Sequence, residues 1–189
     1  MEYKNLTDKQ QKAFDAYKNS SEIISGKSFA YHLNSLLLDK GKLPPEYEDY
    51  LVGLDEISGL FTLPNDQVLY RACFEDVVKG YLDSSSEINV YAAYLSTSTK
   101  NTNLSTHFAS GFSNLPCYLE IHCKAGAKAI PLEKNPAMAQ ESEILLPRGS
   151  CFKLISTSQI TDKDEISALA GNYYGSKFSS ITKYVLHLV

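Results

Sequence analysis

Apolar residues recur at helical spacing through the first third of the chain and at strand spacing after it. Thr7 stands before DKQQKAFDAYK, where Phe14 and Tyr17 fall on one helical face, so a helix capped by Thr7 is predicted. Gly26 interrupts. In KSFAYHLNSLLLDKG the residues Phe29, Leu33, Leu36 and Leu37 form one stripe, and Gly41 marks the stop. Pro44-Pro45 opens a third helix, EYEDYLVGLDEISGLF, with Tyr47, Leu51, Leu54 and Ile57 or Ser58 keeping the period. After TLPND the pattern changes. QVLYRACF, INVYAAYLSTST, CYLEIHC, SEILLP, CFKLISTS and KYVLHLV are short β-prone runs bounded by turn residues, and each is predicted to be a strand. A short helix is expected near NLSTHFAS. Helices first and a mostly antiparallel β core after is the α+β pattern.

The chain has 189 residues, suited to a single domain over 1–189, divided into a helical lead (1–62) and a β-rich core (63–189). No repeat or low-complexity linker divides it further. A net charge of −4 supplies no global basic field for nucleic acid or an anionic membrane. No apolar run approaches the ~20 residues that a membrane helix needs, and MEYKNLTDKQQKAF lacks the apolar centre of a signal peptide. Cys73, Cys117, Cys123 and Cys151 sit in apolar runs without a Cys-x-x-Cys spacing or a histidine at metal spacing, so reduced core thiols and no metal are expected. Of 18 basic residues only Arg71 and Arg148 are arginine. A lysine-rich chain that keeps an arginine invites the question of whether its planar fork is needed there.

Three stretches could carry chemistry. In AQESEILLPRGS, Glu141 and Glu143 stand two apart at the mouth of an apolar run, where an extended chain would project both from one face. Two such carboxylates could stabilise a developing cation and manage a proton. In YLSTSTK, Ser96 and Ser98 share a strand face and Thr97 takes the other, a hydroxyl set suited to a sugar or a carboxylate. Arg71 stands among Val68, Leu69, Ala72, Cys73 and Phe74, where an unpaired charge is costly. Its fork suits a phosphate or carboxylate bidentately.

The order Arg71, Ser96-Thr97-Ser98, Glu141-x-Glu143 resembles the R-S-E class of mono-ADP-ribosyltransferases, which includes bacterial exotoxins and effectors. The helical lead running into QVLYRA and the return ESEILLPRGSCFKLIS are similar to that family as well. The resemblance implies the ADP-ribosyltransferase fold, with N-terminal helices packed on a core of two mostly antiparallel β-sheets that cradle NAD as substrate. It implies that Arg71 holds an NAD phosphate, that Ala72 offers backbone groups to the nicotinamide amide, and that Ser96 orients Glu143. Thr97 and Ser98 would support the pocket, and Phe112 is a candidate for stacking near nicotinamide. Glu143 would bind the nicotinamide ribose and stabilise the oxocarbenium-like state. Glu at 141, rather than Gln, implies arginine as the modified side chain, with PLEKNPAMAQ as the turn that recognises a target protein. Arg148 is expected at a strand end. NAD glycohydrolase and a non-catalytic interaction domain of this fold are the alternatives. Without a signal peptide, the expected place is a host cell reached by a non-classical route, or the cytoplasm where the protein is made.

Overall fold

The computed structural model describes residues 3–19, 23–24, 27–102, 104, 108, 115–131 and 142–189. The cap expected at Thr7 is reciprocal. Gln10 N donates to Thr7 Oγ1 at 3.3 Å, and Thr7 N donates to Gln10 Oε1 at 3.0 Å, which satisfies two end donors of α1 (Asp8–Asn19). A short ribbon of β1 (Ile23–Ile24) and β2 (Lys27–Ser28) leads to α2 (Phe29–Leu38), where the Ser28 side chain accepts from Tyr31 N. Helix α3 (Pro45–Leu60) begins on the predicted proline. Ala13, Phe14 and Tyr17 of α1, Phe29 and Leu33 of α2, and Tyr47, Leu54 and Ile57 of α3 pack in one cluster that also takes in Tyr94 and, from the sheet, Leu145. Gly53 sets the approach of α3 to α1, since a Cβ there would lie 2.7 Å from the Ala13 Cβ.

The remaining elements are β3 (Gln67–Phe74), α4 (Glu75–Lys79), β4 (Asn89–Tyr91), β5 (Leu95–Ser98), β6 (Pro116–Cys123), β7 (Ile130–Pro131), β8 (Glu143–Leu146), β9 (Ser150–Ile160), α5 (Lys163–Gly175) and β10 (Ile181–Leu188). The α+β class holds. In place of two separate sheets, hydrogen bonds join eight strands in the order β4-β9-β10-β6-β3-β5-β8-β7. All pairs are antiparallel except β10 with β6. The sheet has one narrow junction, between β3 and β5. β3 pairs with β6 along its whole length but with β5 only at Tyr70 opposite Ser98. The main core draws on both sides of that junction, taking Leu69 and Cys73 from β3, Leu119 and Ile121 from β6, Leu95 from β5, and Ile144 and Leu146 from β8. A further cluster sets Ile166, Leu169 and Ala170 of α5 against Ala72, Phe74 and Tyr118.

Two expectations change. INVYAAYLSTST is two strands, because β4 pairs with β9 and β5 pairs with β8, so the run crosses from an outer strand to the centre of the sheet. Helix α5 was not expected, although Asp162 caps it by accepting from Asp164 N and Glu165 N ahead of the Ile166, Leu169, Ala170 spacing. The helix predicted near NLSTHFAS falls outside the described residues apart from Leu104 and Phe108, both buried. Cys73, Cys117 and Cys123 are buried and Cys151 partly so, all as free thiols, and burial pushes the Cys73 and Cys123 thiols up to about 12. Among the described residues no helix is long and apolar enough to cross a membrane, and no group of three or more His, Cys, Asp or Glu could hold a metal ion.

Candidate active site

The period of β3 turns Leu69, Arg71 and Cys73 to the inner face, while Ala72 and Phe74 turn outward to α5. Arg71 is partly buried, and its Nη1 donates to the Ser96 carbonyl at 2.7 Å across the junction. On β5 and β8, Ser98 lies opposite Glu143 and Ser96 opposite Leu145. Ser96 and Glu143 are therefore diagonal neighbours, a separation that a long side chain spans. The Ser96 hydroxyl donates to Glu143 Oε1, and the Lys18 ammonium, from the last turn of α1, donates to Glu143 Oε2. The chain Arg71–Ser96–Glu143–Lys18 thus runs from sheet to helix.

These four residues line one cleft of about 490 Å³, together with Tyr17, Tyr31, Asn34, Asp39, Asp76 and Tyr91. That volume lies within the range of small-molecule sites. A larger cavity of about 640 Å³ is lined by Asp55, Lys124, Arg148, Cys151 and Val189 among others. There Lys124 pairs with Asp66 at 2.7 Å, and Arg148 closes on Asp55 with Nε at 2.9 and 3.0 Å and Nη2 at 2.6 Å. Its arginine charge is already met by a carboxylate, and none of Arg71, Ser96 or Glu143 lines it, so the smaller cleft is the candidate site.

The helices are keyed to the strand that bears Ser96. Asn34 on α2 donates to the Tyr17 hydroxyl at 2.8 Å and to the Tyr94 carbonyl at 3.1 Å, and its Oδ1 accepts from Tyr94 N at 3.1 Å. One side chain therefore fixes α1 and α2 against the backbone just before β5. The Tyr94 hydroxyl donates to Asp55 at 2.7 Å, the same carboxylate that Arg148 holds. Burial, then the Asp55 bond, pushes the Tyr94 phenol up, so this donor stays protonated.

The family of ADP-ribosyltransferase exoenzymes matches residues 2–170. The chain belongs to that family. No curated protein matches the sequence. Among solved structures, Plx2a, an ADP-ribosyltransferase toxin from Paenibacillus larvae, is similar at TM-score 0.69 and 15% identity, over 99% of this chain and 89% of that one. The Clostridium limosum C3 exoenzyme is similar at TM-score 0.65 and 16% identity, over 100% and 88%. The ADP-ribosylating toxin BECa of C. perfringens, solved with NADH, is similar at TM-score 0.71 and 15% identity; it is matched over 99% of this chain but only 45% of its own length. Identities this low speak for a shared ADP-ribosyltransferase toxin fold.

Within this exoenzyme domain, Arg71, Ser96 and Glu143 stand together, Arg71 on the Ser96 carbonyl and the Ser96 hydroxyl on Glu143. Ala72 turns its side chain away from the cleft. Thr97 is fully buried and donates to the Ile144 carbonyl at 2.6 Å, and Ser98 accepts from Lys100 N at 3.0 Å, so both brace the β5–β8 end and neither lines the cleft. Glu141 and Phe112 lie outside the described residues. Ser142 carries an unexpected conformation, with φ at 51° in the left-handed region. β8 begins only at Glu143, so the strand period does not extend back through Ser142. Arg148 stands in the turn between β8 and β9, near the expected strand end. Lys18 and Asn34 escaped sequence reasoning. The Asn34 site had a faint signal, an amide inside the apolar stripe of α2, whereas a surface-like lysine on an amphipathic helix gives none.

Proposed function

We propose that this protein cleaves NAD between nicotinamide and ribose and transfers the ADP-ribose to an arginine side chain of a target protein. The observation that carries this is the Ser96–Glu143 hydrogen bond beside Arg71 in one cleft. Arg71 has its other donors for a phosphate of NAD, where a bidentate fork does what a lysine cannot. Glu143 holds a ribose hydroxyl, and its charge stabilises the oxocarbenium-like ring as the C1′–N bond breaks and the electron pair leaves on the nicotinamide nitrogen. Electrostatic stabilisation of this sort is worth about 3 kcal/mol per well-placed group. A guanidine nitrogen of the target then attacks C1′, and Glu141 takes the proton it loses. Ala72 serves the nicotinamide amide through its backbone, and Phe112 stacks near the ring. Thr97 and Ser98 keep the β5–β8 end in register. The target is recognised through 131–140.

Incubation with NAD, followed by mass spectrometry of agmatine and of lysate proteins, tests this. An ADP-ribose adduct on arginine is expected. Nicotinamide release without adduct would reassign the protein as a glycohydrolase with water as acceptor, and no NAD consumption would overturn the enzymatic role.

A further inference from the structure

Glu143 has both carboxylate oxygens engaged, Oε1 by Ser96 and Oε2 by Lys18. The pair is nearly enclosed, with the Lys18 side chain 9% exposed and that of Glu143 15%. An ammonium in contact with that carboxylate cancels the charge that a ribosyl cation would need, and the low polarity of the site strengthens the cancellation. The contact seen here is therefore that of a resting state, and substrate has to draw the lysine away. On the reading that the cleft takes NAD, the group able to do so is the pyrophosphate, with two negative charges. Among the described residues the cleft holds two cations, Lys18 and Arg71, which match that charge. The backbone of α1 is held by Gly53 against Ala13 and by Asn34 against Tyr17, so the movement falls to the four-carbon stem of the lysine.

We infer that Lys18 is a second phosphate ligand of the substrate, and that its transfer from Glu143 to the pyrophosphate releases the carboxylate for catalysis. Dinucleotide binding and the arming of Glu143 are then one event. This rests on the proposed use of NAD and adds a residue and a coupling to it.

Calorimetric titration of ADP-ribose, which carries the pyrophosphate, and of nicotinamide riboside, which does not, tests the inference. Lys18→Met is expected to weaken ADP-ribose by about ten-fold or more, the worth of a charge-assisted hydrogen bond. It leaves nicotinamide riboside unchanged or tighter, and Lys18→Arg recovers most of the ADP-ribose affinity. Glu143→Gln removes this competing charge, so it tightens ADP, which carries the diphosphate but not the ribose that Glu143 holds, several-fold when Lys18 is present and not in the double variant. If Lys18→Met fails to fold, the Glu143→Gln titration alone decides. Undiminished ADP-ribose affinity in Lys18→Met, or equal losses for ADP-ribose and nicotinamide riboside, or no tightening of ADP in Glu143→Gln, overturns the inference while leaving NAD as substrate intact. A wild-type protein that binds neither NAD nor ADP-ribose overturns the NAD reading itself, and the inference with it.

Discussion

Arg71 and Arg148 carry the same guanidinium into two different cavities, and their surroundings treat it differently. Arg148 sits in the turn after β8 with its fork closed on Asp55, a carboxylate that also accepts from Tyr94. That pair ties the turn to α3, and both partners remain partly exposed, at 40% and 37%. Arg71 gives one N–H to the Ser96 carbonyl, and among the described residues no carboxylate closes on its fork. An arginine whose charge is met by a carboxylate holds the fold together. One met by a carbonyl dipole inside a cleft is placed to attract an anion from solution. The two differ in what meets the guanidinium, a carbonyl at Arg71 and a carboxylate at Arg148.

Substitutions separate the roles proposed for the two cavities. Glu143→Ala, next to the Arg71–Ser96 bond, should have the largest effect, lowering NAD cleavage and arginine transfer together by about 10²-fold or more, as loss of a transition-state electrostatic group does. Nicotinamide release measured by chromatography checks it. Glu141→Gln should lose arginine transfer while keeping NAD hydrolysis, and equal loss of both would contradict the division of roles. On the structural side, Gly53→Ala forces a Cβ to within 2.7 Å of Ala13 and should cost about 1–3 kcal/mol in denaturant unfolding, partly regained with Ala13→Gly. Arg148→Ala should cost about 1 kcal/mol, the scale of an exposed ion pair, with NAD cleavage kept within a few-fold. Smallest is Ser142→Gly, which relieves a left-handed φ and should raise stability by about 0.5 kcal/mol after the entropy cost of glycine. An unfolding midpoint that falls would show that the serine is held there by more than strain.

Much of the fold was legible where a local signal sufficed. QVLYRACF became β3 over its full length because its apolar run is bounded by turn residues, and Pro45 and Thr7 marked helix starts for reasons local to each. The break of INVYAAYLSTST was not legible, because it depends on partners far along the chain, Cys151 for Val90 and Leu145 for Ser96. Helix α5 could have been read from Asp162 and the Ile166, Leu169, Ala170 spacing. In the site, Arg71, Ser96 and Glu143 were legible as residue types in order. Their hydrogen bonds depend on the register of β5 against β8, which no local pattern encodes. Lys18 stands 125 residues from Glu143 and has the composition of any solvated helix position. The left-handed φ of Ser142 was hidden because no glycine marks it.

The two arginines also show by experiment whether the proposed cleavage of NAD takes place in the Arg71–Ser96–Glu143 cleft. Nicotinamide release should be measured side by side for Arg71→Lys and Arg148→Lys, each of which keeps the charge and removes the fork. A fall in kcat/KM of about 10²-fold for Arg71→Lys, with Arg148→Lys within a few-fold of wild type, is expected from the loss of bidentate phosphate binding at one site only. Near-normal cleavage by Arg71→Lys with loss in Arg148→Lys would contradict it and move the chemistry to the larger cavity.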